Sequence, residues 1–492
     1  MYTLGVDIGT FESKGVVVDA TGRIVAQAAR GHEMIVPRPG WAEHRPEEDW
    51  WGDFVFIVKA LLTEVDADKV KAVACSAIGP CMLPLDAAGT PLMNGVLYGV
   101  DTRAVLEIGS LNKMLGDDAI MARCGNALTS QSVGPKILWL KRNHPEIWAR
   151  TDKVVTATTF LTLRLTGECV IDHYTAANFS PLYDIDAQDW RPEFGGICGR
   201  EHLPRLMWSG EIAGQVTARA AAETGLAPGT PVTCGTIDAA SEAVSVGVTG
   251  PGDMMMMYGS TIFIIEVTDR RLVDARLWHA PWLYRGQHAA MAGLATSGTL
   301  THWFRDQFAR ELPRETAFAV LTEEAMASPP GARGLICLPY FSGERTPIHD
   351  TRARGAFFGL NLTHGRGEMY RAVLEGIASA TRHITDTYTQ AGAAPKRVLA
   401  VGGGTKNRPW LQATSDLTGL DQVVARVTTG ASFGNAWLAH RAIGGTARIE
   451  DWNPAAEVVR AVRHEAYVRQ YPLFRRLYEQ TKDIAAELSD AI

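Results

Sequence analysis

The chain has 492 residues, a formal charge of −6, 46% hydrophobic and 21% charged residues, which is the composition of a soluble globular protein. It is too long for one core, since single cores stop growing near ~250–300 residues, so two large domains are expected. The acidic balance and the lack of a Lys/Arg run argue against a nucleic-acid binder, and seven scattered cysteines without a C-x-x-C argue against a disulfide framework or zinc site.

Leu4 to Asp19 (LGVDIGTFESKGVVVD) opens the chain with two apolar runs around a Gly-containing turn, which predicts a β-hairpin. Gly9, Thr10 and Ser13 can bring N–H groups and hydroxyls to a phosphate. Asp7 can hold a magnesium ion and Lys14 can meet the phosphate as a point charge. An ordinary edge hairpin is the competing reading. Met1 to Thr10 has no basic n-region and does not read as a signal peptide.

Ile24 to Ala28 continues the meander, and Pro37 to Trp41 is a loop. Pro46 begins a helix with Glu47, Glu48 and Asp49 in its first turn and Trp50, Phe54, Ile57, Val58, Leu61 and Leu62 at helical spacing. Lys71 to Ser76 is the next strand. Hairpin, strand, helix, strand makes an α/β domain with a mixed sheet. Asn94 to Arg103 ends in the charged pair Asp101 and Arg103, Lys136 to Arg142 is a helix, and Val154-Val155 and Phe160 to Leu165 keep the alternation.

Thr230 to Gly235 is a strand that leads to Asp238 at the opening of a helix. A carboxylate beyond a strand end can act as general base toward a substrate hydroxyl, or can simply cap the helix. Gly247 to Asp253 is the expected domain boundary, dividing the chain into 1–247 and 248–492. Met254 to Val267 then repeats the plan of the opening hairpin, with Gly259, Ser260 and Thr261 in its turn. It is too short and broken to cross a bilayer, which needs ~20 apolar residues. A cytoplasmic enzyme with reduced thiols is expected.

Glu344 and Arg345 are read either as a paired network at a domain interface or as catalytic groups. Glu368 to Tyr388 is an amphipathic helix. Arg397 to Val401 is a strand, followed by Gly402, Gly403, Gly404 and Asn407, with Pro409 opening a helix. Three successive glycines suit close approach of backbone to a ligand, with a loose connection as the alternative. The last ~40 residues are expected to be helical and to pack outside. Trp41, Glu43 and His44 offer an aromatic wall and polar contacts to a sugar, or a plain surface loop. The motifs of zinc proteases, P-loop kinases and α/β-hydrolases are absent.

Taken together, these residues resemble the FGGY family of carbohydrate kinases. The match is carried by Gly355 to Leu360 with Glu368-Met369, Ala372, Val373, Leu374 and Glu375, by GERTP at Gly343 to Pro347, and by Lys136-Ile137, Trp139-Leu140 and Arg142-Asn143. Val133 departs from the first signature. The resemblance implies two actin-like, ribonuclease-H-like domains with ATP and sugar in the cleft between them. It implies a first phosphate hairpin at Asp7, Gly9, Thr10, Ser13 and Lys14, with Asp7 toward magnesium, and a second at Gly259, Ser260 and Thr261. Gly402, Gly403, Gly404 and Asn407 fall on the adenosine loop and Asp238 on the catalytic base. Trp41, Glu43, Ile78, Gly79, Asp101 and Arg103 fall on the sugar side.

Mg-ATP and a small sugar are the implied partners, with no nucleic acid and no membrane, and a homodimer as an open option. Xylulokinases of the family usually carry Met-His-Gly where this chain has Ile78-Gly79-Pro80, and the Arg-Glu pair of glycerol kinases is absent. A ketopentose such as xylulose or ribulose is the expected acceptor. A tetritol, deoxysugar, hexulose or aldonate stays open, as does an actin- or chaperone-like ATPase without a sugar.

Overall fold

The apolar runs flanking the first turn pair antiparallel as Tyr2–Ile8 (β1) and Glu12–Asp19 (β2), and Ile24–Gly31 (β3) extends the meander. The computed structural model describes residues 1–490. From Pro46 the chain winds through a wide first turn into helix Asp53–Leu61 (α1), as the Pro and acidic first turn predict. Val70–Ala77 (β4) then lies parallel to β1. Helices Val133–Asn143 (α2) and Ala157–Thr166 (α3) follow. Next come strand Ile212–Gln215 (β5), helix Ala218–Thr224 (α4), the short strands Pro231–Thr233 (β6) and Thr236–Ile237 (β7), and helix Asp238–Ser245 (α5). The seven strands form one sheet of order β5-β6-β4-β1-β2-β3, with β7 pairing β4.

Asp253–Tyr258 (β8) and Ile262–Thr268 (β9) form the second hairpin, and Trp278–Pro281 (β10) and His288–Leu294 (β11) extend it. Helices Gly298–Phe308 (α6) and Arg366–Gln390 (α7) precede strand Arg397–Val401 (β12) and helix Arg408–Thr418 (α8). Gln422–Ala425 (β13), Ala431–Ala442 (α9), Ala455–Val459 (β14) and Glu465–Asp490 (α10) complete the chain. The second sheet runs β10-β11-β9-β8-β12-β13-β14. Each sheet is an antiparallel three-stranded meander whose first strand is joined by a parallel strand from later in the chain. The internal repeat and the ribonuclease-H-like plan expected from the sequence are both present. Two expectations about the C-terminal region need correction. Ala455–Val459 is an edge strand rather than helix, and α10 buries Tyr467, Tyr471 and Phe474 instead of lying wholly outside.

Both faces of the first sheet are buried, as suits strands with helices on either side. Leu4, Val6 and Ile8 face α1, with Phe54, Ile57 and Leu61. The other face meets α5 and, from the far end of the sequence, α9. That helix approaches so closely that a Cβ on Gly5 would lie 1.9 Å from Ser432 O and 2.5 Å from Ala436 N. A Cβ on Gly434 would lie 2.0 Å from Ser241 O in α5. Residues of both sheets thus share one apolar core through α9, including Val16, Val244, Phe433, Trp437, Met255 and Leu399.

Replacing Gly5 by Ala therefore forces backbone apart and is expected to cost about 3 kcal/mol or more in a denaturant melt. Gly403→Ala, whose Cβ meets nothing within 4 Å, serves as the control and stays within ~0.5 kcal/mol of the parent. Equal stabilities of the two variants would contradict the packing described for α9.

Candidate active site

The register of the first sheet brings two distant carboxylates to one edge. Asp7 of β1 and Thr236 of β7 both pair with Ser76 of β4, and Ile8 and Ile237 both pair with Ala77. Asp7 and Asp238 thus emerge on either side of β4 at the carboxyl ends of parallel strands, where open α/β sheets bind ligands. Asp7 Oδ1 accepts from Ser76 Oγ at 2.6 Å, and Asp238 Oδ1 accepts the N–H of Ala239 at 2.7 Å. The second bond is the helix-start contact anticipated as an alternative, yet it engages one oxygen only, and Asp238 also lines a cavity.

Burial pushes the Asp7 carboxyl up to about 6, against the Ser76 hydrogen bond and the charge of Lys14. Burial and then the Asp7 charge hold Asp238 well above the usual carboxylate range. Glu242, one turn along α5, is pushed up to about 7 by burial and by Asp7. Lys14 is half exposed and is paired with Glu12 at 2.9 Å. The site is short of positive charge, and a divalent cation at Asp7 fits that deficit. Among the described residues no group of three or more His, Cys, Asp or Glu forms a protein-built metal site. A magnesium ion held by one carboxylate, phosphate oxygens and water needs none.

The two hairpin turns are braced in the same way. In the first, the carbonyls of Gly9 and Thr10 accept from His32 Nε2 and His44 Nε2, each at 3.1 Å. His32 also donates through Nδ1 to Asp53 at 2.8 Å, so both its nitrogens donate. Its pKa is accordingly raised, the Asp53 contact outweighing burial. His44 instead accepts from Trp50 Nε1 at Nδ1, and burial, then the His32 charge, bring it down to about 4. In the second turn, the carbonyls of Gly259 and Ser260 accept from the N–H groups of Gly298, Ser297 and Thr299 at the start of α6. Within the turns the N–H of Gly9 donates to Glu12 O and that of Gly259 to Thr261 O, so among the described residues Thr10 and Ser260 keep N–H groups with no protein acceptor, the kind of group an anion can use. Ser13, by contrast, is fully buried and gives its hydroxyl to Asp53 at 2.7 Å.

Two cavities flank the hairpins. The smaller, about 130 Å³, is lined from both halves of the chain by Gly79, Asn126, Gln131, Asn178 and Asp238, opposite Phe263 and Trp278. The larger, about 690 Å³, lies in the second half between Gly259, Ser260, Gly403, Gly404 and Asn407 on one side and His302, Phe318 and Glu323 on the other. Asn407 caps α8 by accepting from Trp410 N at 3.3 Å. The glycine triplet divides by role. A Cβ on Gly402 would lie 2.6 Å from Tyr258 O, and one on Gly404 would lie 2.5 Å from the Trp410 ring. Those two glycines serve packing, and of the three Gly403 alone has open space before it.

Of the residues expected on the sugar side, Gly79 lines the small cavity with Asp238, and Ile78 is buried beside it. Glu43, Asp101 and Arg103 form a separate buried cluster under a half-buried Trp41. Arg103 bonds Asp101 at 2.7 Å and Glu43 at 2.9 Å, its guanidinium lies 3.9 Å from the Trp41 ring centre, and Asp101 accepts from Ala42 N. Lys136 of the first signature is buried and brought down to about 8 by burial. It donates to the carbonyls of Leu97 and Tyr98. This cluster fixes the segment 97–103. Glu344 and Arg345 make no ion pair. Glu344 Oε1 instead accepts the N–H groups of Ala295 and Arg345. Asn126, Gln131, Asn178 and Trp278 were not anticipated, because they come from loops and an edge strand without motif or period.

Among the described residues no helix is long and apolar enough to cross a membrane. The model of the N-terminal domain of the FGGY family of carbohydrate kinases matches residues 2–245 and that of the C-terminal domain matches 254–443. A xylulose kinase of Escherichia coli (strain K12) is 30% identical over 500 residues, covering 99% of this chain and all of the relative. A gluconokinase of Bacillus subtilis (strain 168) is 25% identical, over 99% of this chain and 98% of the relative. The crystal structure of a xylulose kinase from Rhodospirillum rubrum superposes with a TM-score of 0.93 at 30% identity, covering 99% of this chain and 100% of that one. Paired carboxylates at the strand ends, twin braced hairpin turns and domain matches across both halves converge, and the chain belongs to the FGGY family of carbohydrate kinases, enzymes of sugar phosphorylation.

Proposed function

We propose that this carbohydrate kinase transfers the terminal phosphoryl group of ATP, with magnesium, to a hydroxyl of a ketopentose of the xylulose or ribulose type. The observation that carries the reading is the cavity beside Asp238, whose lining offers amides, hydroxyls and aromatic walls but no arginine or lysine. A neutral sugar suits such a lining. An aldonate would bury a carboxylate without a countercharge, at a cost of about 3–5 kcal/mol. This favours a ketose over gluconate although relatives named for both exist.

Two lobes, residues 1–247 and 248–492, hold the reactants. Gly403, with Gly402, Gly404 and Asn407 around it, faces adenosine in the larger cavity. The phosphates lie between the turns at Gly9-Thr10 and Gly259-Ser260-Thr261, with Lys14 at their edge and Ser13 supporting the first turn from behind. Asp7 would hold the magnesium ion, which supplies charge neutralisation to the phosphate oxygens when bound. Gly79 and Asp238 meet the sugar, Ile78 backs that contact, and Trp41, Glu43, Asp101 and Arg103 act at one remove by holding segment 97–103. Burial and Asp7 make the Asp238 carboxylate unusually basic, which suits it to take the hydroxyl proton as the new O–P bond forms.

Asp238→Asn preserves shape and the bond to Ala239 N but not the base. Sugar phosphorylation is expected to fall about 10²–10⁴-fold, with ATP affinity by calorimetry nearly unchanged; near-normal turnover would remove Asp238 from the role. Gly403→Val directs its side chain into open space, so it is expected to fold normally, to raise KM for ATP roughly tenfold (~1.4 kcal/mol) and to leave KM for the sugar alone. The reverse order of effects would move adenosine elsewhere. In a coupled ADP-release assay over ketoses, polyols and aldonates, a ketopentose is expected to exceed gluconate by at least ~10²-fold in kcat/KM. Preferred turnover of gluconate would overturn the ketose assignment.

A further inference from the structure

Arg345 is a cation without a partner in a place where one is costly. Its Nη2 donates to Leu294 O at 3.0 Å, and among the described residues its buried Nε–H meets no acceptor and no carboxylate forms an ion pair with it. The adjacent Glu344 is turned away onto backbone N–H groups, and burial pushes its carboxyl up to about 7. Arg345 is half-buried with its Nε inside, and a guanidinium held there is better satisfied once a ligand supplies the negative charge.

The surroundings indicate which ligand. Leu294, the anchor of Arg345, ends β11 directly opposite Ile262, the first residue after the second phosphate turn. The guanidinium lies 5.8 Å from the ring centre of Trp278, a wall of the Asp238 cavity. Tyr98 of the first lobe lies within reach of its charge: burial pushes that phenol up, and the Arg345 charge works against the rise. Arg345 therefore stands between the second phosphate turn and a wall of the Asp238 cavity, on the second lobe.

We propose that Arg345 contacts the phosphoryl group in flight and stabilises the charge on its oxygens. This rests on the phosphoryl-transfer reading above and adds a catalytic residue to it. As the bond from the terminal phosphorus to the bridging oxygen breaks, ADP leaves with the electron pair, the sugar oxygen forms the new bond and Asp238 receives its proton. The planar fork of arginine meets two oxygens of the group at once, which a lysine cannot do.

Arg345→Ala and Arg345→Lys test this. Both are expected to lower kcat by about 10³-fold or more, the range seen for arginines at transferring phosphoryl groups, while KM for the sugar and affinity for ADP change less than ~3-fold. Binding of ADP with aluminium fluoride, an analogue of the group in flight, is expected to weaken at least ~50-fold in both variants. Millimolar guanidinium is expected to restore part of the activity of Arg345→Ala. A residue that merely anchors Leu294 would instead lower the melting temperature and raise KM for ATP with kcat kept, and that outcome overturns the proposal. The slow hydrolysis of ATP without sugar separates this inference from the sugar assignment. If no ketose is turned over but Arg345→Ala still depresses hydrolysis and analogue binding, the ketose reading fails and Arg345 stands. If a ketose is turned over and the folded Arg345→Ala protein keeps kcat within ~3-fold, Arg345 falls alone.

Discussion

The structure depends most on a chain of buried hydrogen bonds that joins the end of the sequence to its beginning. Ser241 Oγ donates to Asn435 Oδ1 at 2.7 Å, Asn435 Nδ2 donates to Val6 O at 2.8 Å and to Ser76 Oγ at 2.7 Å, and Ser76 donates on to Asp7 at 2.6 Å. Each member is deeply buried or lies at the site floor, so a missing partner leaves another polar group unsatisfied at about 1–3 kcal/mol. The chain requires α9 to touch β1, and that contact is possible only because Gly5 and Gly434 present no side chain. One constraint thus sets both the lobe-to-lobe packing and the orientation of the Asp7 carboxylate.

From this floor the electrostatics of the site follow. Asp7, Asp238 and Glu242 are held close together in low dielectric, and each raises the cost of ionising its neighbours. Lys14 is half exposed and tied to Glu12, and the other cation the polypeptide brings to this region is Arg345. The polypeptide adds two turns whose carbonyls are held from behind, with the N–H groups of Thr10 and Ser260 left for a ligand. Bracing the turns from behind, with His32 and His44 on one side and the first turn of α6 on the other, fixes these dipoles before any ligand arrives, which is what electrostatic preorganisation requires.

The hairpins, the internal repeat and the strand-end aspartate were legible in the sequence because each is local: a period, a turn composition, a few consecutive residues. Cavity walls are not local. Asn126, Asn178 and Trp278 meet only after β10 and two loops are placed, and no spacing among them announces it. The glycine triplet shows the limit within one motif. Its composition pointed to a ligand, but only coordinates separate Gly403, which faces space, from Gly402 and Gly404, which make room for Tyr258 and Trp410. Arg103 and Lys136 were visible as charges, while their burial in a cluster that holds segment 97–103 depends on the packing of Trp41 and Trp139 around them.

What reads the sugar can be narrowed by asking which polar groups of the small cavity are already spent. Asn126 is fully used, donating to His279 O at 2.8 Å and accepting from His279 N at 2.7 Å. Asn178 Nδ2 is turned back to the carbonyls of Tyr174 and Thr175, which leaves its oxygen. Gly79 contributes no side chain where the usual xylulokinase pattern places histidine, and a Cβ there would already lie 3.0 Å from Ile237. The carboxylate of Asp238, the amide of Gln131, the oxygen of Asn178 and the hydroxyl hydrogens of Thr129 and Ser132, which both act only as acceptors within the protein, are the side-chain groups of the lining still able to bond. Acceptors and neutral donors are mixed among them, a balance that matches a row of hydroxyls.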